Sequence, residues 1–159
     1  MNAILLCERG DAEAENAVIR TALAILRKRL ERPAPPVRRL GDLGDYLSLT
    51  LAAETQRVLC AAWLNRRREV LWCGPLFRGD VNWCTTYPRE LVREALNHNA
   101  AMAVLAISDP ADPSRPDDPT VGQFGAMRDA LALIGIPVVD SLVITPTKRI
   151  SLVDMDLMR

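Results

Sequence analysis

A single α/β domain built on a mixed sheet is the fold class this sequence predicts, on three observations. Residues 58–64 and 101–107 are short, continuous apolar runs, the pattern of buried strands, and 138–144 is apolar apart from Asp140 and Ser141. Segments with apolar residues at helical spacing precede and separate them. The 159 residues are 49% apolar and 25% charged, which fits one compact domain with an ordinary core and excludes a collagenous, disordered or membrane-spanning chain.

Taken in order, residues 11–30 place Ile19, Leu23, Leu26 and Leu30 on one helical face. Arg27, Lys28 and Arg29 gather at the C-terminal end, where the helix dipole favours cations. Arg32-Pro-Ala-Pro-Pro ends that helix and is the one candidate linker, so residues 1–36 read as a helical segment and 37–159 as the domain. Residues 40–54 form a second helix with Leu43, Leu47 and Leu51 inward. Residues 58–64 and 70–73 follow as a hairpin of buried strands, joined by the polar turn Asn65-Arg-Arg-Arg68, a solvated turn rather than a phosphate clamp. Gly79-Asp80 is a turn, and Pro88 opens a helix that ends near Asn97-His-Asn99. A strand over 101–107 leads into a loop, 108–119, rich in proline and aspartate. Helical spacing returns over 121–133, and Gly135-Ile-Pro delivers strands at 138–144 and 150–153. The order α, α, β, β, α, β, α, β, β has no internal repeat.

The composition narrows the chemistry. His98 is the only histidine, so a zinc site that needs two imidazoles is excluded. Its place at a helix end suits a cap. Twenty basic side chains balance twenty acidic ones, leaving no global field for a polyanion, so nucleic-acid binding is not expected. Cys7, Cys60, Cys73 and Cys84 are far apart without a CxxC pair and read as reduced, buried thiols of a cytoplasmic protein. The opening residues have no basic region ahead of the apolar run, so no export signal is expected, and no apolar stretch approaches the length of a membrane span. A nucleophilic thiol or serine would have to share His98 as its base, and no Gly-x-Ser-x-Gly elbow or glycine-rich phosphate loop is present. Asp109, Asp112, Asp117 and Asp118 could gather around a hard cation, but their spacing fits no EF-hand and matches ordinary turn composition.

Several segments together carry a family resemblance. Thr86-Tyr-Pro-Arg-Glu-Leu-Val-Arg-Glu-Ala-Leu96, preceded by Phe77-Arg-Gly79 and followed by Asn99-Ala-Ala-Met-Ala-Val-Leu-Ala106, resembles the core of the RadC-like JAB/MPN family. Leu64-Asn65, Leu133-Ile-Gly-Ile136 and Val139-Asp-Ser-Leu-Val-Ile144 fall in the same order as that family's landmarks. The resemblance implies a JAB/MPN-like (cytidine-deaminase-like) fold with a mixed sheet and flanking helices. It also implies one zinc ion held by His-x-His and a later Asp, with a Glu as acid/base and a Ser beside the developing oxyanion. Read residue by residue, the two histidine positions are Ile107 and Asp109, the serine position is Asp117, the aspartate position is Thr120 and the glutamate position is Arg57. Each change opposes the zinc mechanism, because Ile107 has no lone pair, Thr120 is a poor ligand and Arg57 brings a cation where the metal would sit.

The expectation is therefore a pseudoenzyme with no catalytic residue, metal or cofactor, whose role is to present a surface to a protein partner, with a homodimer as one form. Trp72, Phe77 and Trp83 are candidate anchors. An ion pair between Arg57 and Asp109 is expected to fill the metal pocket. Two alternatives remain open. One is a divergent metallo-hydrolase using Asp109, Asp117 or Asp118 with Glu54 as base. The other is the DNA-repair association attributed to the family, for which the charge balance offers no support and the N-terminal region is too short to hold a helix-hairpin-helix module.

Overall fold

The structure, a computed structural model, describes residues 39–80 and 84–157 together with residues 14, 17, 18, 20 and 21. Those five are helical; the rest of the helix expected over 11–30, the proline-rich segment, Cys7 and Trp83 lie outside the described residues. The chain divides into two compact units, Met1–Ala34 and Pro35–Arg159.

The second unit carries α1 (Leu40–Leu51), β1 (Val58–Leu64), β2 (Val70–Arg78), α2 (Pro88–Asn97), β3 (Met102–Ser108), α3 (Asp118–Ala132), β4 (Val138–Ile144) and β5 (Arg149–Ser151). The strands form one five-stranded mixed sheet in the order β2-β1-β3-β4-β5. Only β3 and β4 are parallel, and α3 makes the crossover between them.

The continuous apolar runs are explained by helices on both faces. Leu59, Ala61 and Trp63 of β1 join Ala103, Leu105 and Ile107 of β3 on one face, against Leu91 and Ala95 of α2 and Phe124, Met127 and Leu131 of α3. The alternate residues, Val58, Cys60, Ala62 and Leu64, with Val104 and Ala106, meet Leu43, Leu47 and Leu51 of α1 on the other. Leu43, Leu47 and Leu51 are each buried, a contribution of about 1.5–3 kcal/mol apiece from apolar area removed from water.

Several boundaries differ from expectation, among them that of β5, which is Arg149–Ser151 rather than 150–153 because the chain turns over 152–156. β2 continues five residues past Cys73 to Arg78, through Gly74 and Pro75. Proline is tolerated because β2 is an edge strand, and a register irregularity between Leu59 and Cys60 accommodates the pairing of Cys60 with Pro75. The first helix of this unit stops at Leu51, leaving Glu54 beyond its end. The last helix starts at Asp118, three residues early, because Asp117 caps it and Pro119 suits its first turn.

Two helices end alike. After α2, Asn99 takes φ 49°, with Ala100 N donating to Ala95 O and Asn99 N to Leu96 O, both at 3.0 Å. After α3, Gly135 takes φ 73°, with Ile136 N donating to Leu131 O and Gly135 N to Ala132 O, again at 3.0 Å. Both are Schellman ends, which satisfy the last carbonyls and turn the chain sharply into β3 and β4.

Candidate functional site

The antiparallel register of β1 and β3 builds the site. Leu59 lies opposite Ile107, and continuing that pairing by one alternate step sets residue 57 opposite residue 109, on the face covered by α2 and α3. Arg57 Nη2 donates to Asp109 Oδ2 at 2.5 Å, and Arg57 Nη1 donates to Thr120 Oγ1 at 2.8 Å. Arg57, Asp109 and Thr120 are 6%, 3% and 1% exposed, so the guanidinium and carboxylate form a buried ion pair tied to the first turn of α3. Arg57 Nε has no hydrogen-bond partner among the described residues.

The backbone around Arg57 is held equally firmly. Arg57 N donates to Asp80 O at 2.8 Å and Gly79 N to Arg57 O at 2.9 Å. The buried Ser108 hydroxyl accepts from Val58 N at 2.7 Å and donates to Gln56 O at 2.8 Å, clamping the chain on both sides of Arg57. Asp109 is fixed in turn: its N–H donates to Ile144 O at 2.8 Å and its Oδ1 accepts from Ala111 N at 3.2 Å. Ser108 was not singled out from sequence for this role. The one available signal was its position between Ile107 and Asp109.

Asp117 stands at the rim. Its carboxylate accepts from Thr120 N at 3.0 Å, and its pKa is held below the ordinary 3.8 first by the Thr120 side chain, with smaller effects in the same direction from that N–H and from Arg57. Asp117→Ala should therefore remove a helix cap and cost about 0.5–1 kcal/mol at neutral pH, read as a lower melting temperature. A depressed folded-state pKa means this stabilisation is present above the ordinary carboxyl value and is lost as pH falls through the folded value. The wild-type and variant melting temperatures should accordingly converge in acid, and a constant gap down to the acid limit would refute the assignment.

The remaining aspartates and Glu54 are not brought to this site. Glu54 pairs with Arg78 at 3.3 Å, Asp112 accepts from the Thr147 hydroxyl, and Asp118 is exposed in the first turn of α3. Among the described residues no three His, Cys, Asp or Glu side chains are arranged to hold a metal ion. His98 caps α2, with Nδ1 2.8 Å from Glu94 O and its ring 5.1 Å from that of Trp72. Cys60, Cys73 and Cys84 are free thiols. Burial pushes Cys60 up to about 12 and Cys73 to about 11, far from a reactive thiolate at neutral pH. Burial also raises Cys84.

Comparison with known proteins fits this geometry. The model of the RadC-like JAB domain matches residues 37–157. The chain belongs to that family. Among its relatives, the UPF0758 protein of Marinobacter nauticus is 30% identical over 153 residues, 94% of this chain and 68% of the relative. The UPF0758 protein of Thiobacillus denitrificans is 31% identical over 145 residues, 89% of this chain and 65% of the relative. That of Methylibium petroleiphilum is 33% identical over 156 residues, 94% and 69% respectively. The chain thus spans about two thirds of the length of these relatives.

In this RadC-like JAB domain, the positions that the family resemblance assigns to zinc and its acid/base converge as Arg57, Asp109 and Thr120, with Ile107 two residues back on β3 inside the core. As a zinc donor set they fall short. Ile107 offers no lone pair, the one carboxylate oxygen and the one hydroxyl that face the pocket are engaged by Arg57, and the guanidinium charge opposes a second cation there.

Trp72 and Phe77, expected as interface anchors, are partly buried against the core beneath α2 and α3, and Phe77 packs edge-on with Tyr87 at 6.1 Å. No helix among the described residues is long and apolar enough to cross a membrane.

Proposed function

We propose that this chain is a non-catalytic RadC-like JAB domain, a scaffold that presents a folded surface to protein partners in the reducing cytoplasm. The observation that carries the reading is the buried Arg57 guanidinium, which joins Asp109 and Thr120 where the family's metal chemistry would operate. It supplies positive charge without an open coordination position, and an arginine cannot act as a general base near neutral pH. The three free thiols support a reducing compartment.

Zinc and manganese titrations separate this reading from a divergent metallo-hydrolase. Metal analysis of the purified chain should find no stoichiometric ion, and saturating zinc or manganese should leave its melting temperature unchanged. One equivalent of either ion lost on Asp109→Asn would overturn the proposal in favour of the hydrolase.

A further inference from the structure

On the face of the sheet opposite the Arg57–Asp109 pair, β3, β4 and β5 meet α1 across a hollow of about 280 Å³. Its floor is a patch of three strands, in which Val104 of β3 stands beside Asp140 of β4, and Leu142 of β4 beside Ser151 of β5. Its roof is the start of α1, from Leu40 to Gly44. A Cβ added at Gly41 would meet nothing within 4 Å, so the chain itself does not fill the space there. A Cβ at Gly44 would come within 2.5 Å of Arg149 Nη1, and its absence lets the guanidinium reach Asp45 at 2.8 Å.

A break in the strand ladder aims Asp140 into this hollow. β3 and β4 pair Ala103 with Val138 but Val104 with Asp140, so Val139 is an extra residue in a parallel pair. In an unbroken register Asp140 would stand opposite Leu105, on the face covered by α2 and α3. Bulges re-aim a side chain in this way and are rare between parallel strands. The carboxylate so placed is half-buried and accepts from Ser141 N at 2.7 Å and from the Ser151 hydroxyl at 2.9 Å. Neither it nor Asp154, which also lines the hollow, makes an ion pair with a described residue. Burial raises the pKa of Asp140 above the ordinary 3.8 against the pull of those donors, and Asp154 adds to the rise. Arg149, the one cation among the described residues of the lining, is turned to Asp45.

We propose that this hollow binds a small organic cation, a protonated amine on a compact apolar body, with the ammonium at Asp140 and Asp154 and the carbon body against Leu40, Val139 and Leu142. The chemistry of the lining selects that class. A hard metal ion asks for roughly six to eight oxygens, and among the described residues no three His, Cys, Asp or Glu side chains are arranged to hold one. An anion would meet two carboxylates. A neutral apolar molecule would take water from Asp140 and give it no counter-charge. An amine supplies that charge while its carbon body covers the apolar wall. The site is independent of the scaffold reading, which rests on the other face of the sheet.

Amide chemical shifts of the isotope-labelled full chain, titrated with phenethylamine, test it. Shifts at Gly41, Asp140, Ser151 and Asp154 should saturate in the millimolar range, and phenethyl alcohol and phenylacetate, which share the carbon body, should produce no saturable change. Asp140→Asn keeps an acceptor for Ser141 and Ser151 and should weaken amine binding at least about tenfold. Asp154→Asn, at the more exposed position, should weaken it less. Gly41→Leu places a side chain in the open space and should abolish binding with native circular dichroism retained. No saturable shift up to about 50 mM amine, or equal binding by phenylacetate, overturns the proposal. So does a folded Asp140→Asn or Gly41→Leu variant that binds as wild type does. Saturation of the same amides by calcium, with the amine inert, overturns it in favour of a metal.

Discussion

Arg57→Ala should destabilise the domain by about 3–5 kcal/mol, lowering its melting temperature by about 10 °C or more. The physical cause is the group left behind. Asp109 is 3% exposed, so deleting Arg57 strands a carboxylate away from both water and its partner, and it also removes the donor to the Thr120 hydroxyl. Much of the loss is thus a penalty for a buried unpaired charge rather than the net worth of the pair. Arg57→Met/Asp109→Leu, which removes both charges and fills the volume, should recover most of it, because burying an ion pair is itself expensive. Denaturant titrations of the two variants provide the comparison. Equal destabilisation in both would mean that packing rather than charge sets the cost, and an unaltered Arg57→Ala would dismiss the buried pair altogether.

Restoring the family's donors should convert the pocket into a zinc site. The variant combines Arg57→Glu, Ile107→His, Asp109→His, Asp117→Ser and Thr120→Asp. Position 107 is on β3 and position 109 lies one residue past its end, two along from 107, while 57 and 120 already meet 109 through the guanidinium. Without metal this variant should be less stable than wild type, because it places imidazoles and carboxylates in a core position and at a buried strand end. With zinc at about a thousand times its dissociation constant, about 4 kcal/mol of stability should return, since an ion that binds only the folded state stabilises it by mass action. Thermal melts with zinc and with chelator, together with zinc stoichiometry, read the effect. A natively folded variant indifferent to zinc would show that the residue-by-residue correspondence is displaced.

Much of the fold was legible because burial on both sheet faces leaves a plain mark. The segments 58–64 and 138–144 became β1 and β4 with unchanged limits; β1, buried throughout, has no polar position to blur its ends. β2 was half missed for the opposite reason. As an edge strand with exposed positions and Pro75 inside it, its second half looks like loop, and only pairing with β1 holds it extended. Glu54 reads from sequence as a helix-end carboxylate that could serve as a base only with a shifted strand register, and in the structure its carboxylate turns to Arg78 on β2. In the aspartate-rich loop Asp117 caps α3, Asp112 ties to Thr147 and Asp109 pairs with Arg57, partners that composition does not specify.

By itself the amino-acid sequence determined the α/β class, the alternation of strand and helix, the absence of a two-imidazole metal site and the residues standing at positions 57, 107, 109, 117 and 120, because these depend only on composition, periodicity and order. The tertiary structure alone decided that Arg57, Asp109 and Thr120 meet and that Ser108 clamps the backbone around Arg57. Those groupings join residues up to 63 positions apart. They follow from strand register and from which faces the helices cover, and neither is fixed until the whole sheet has paired.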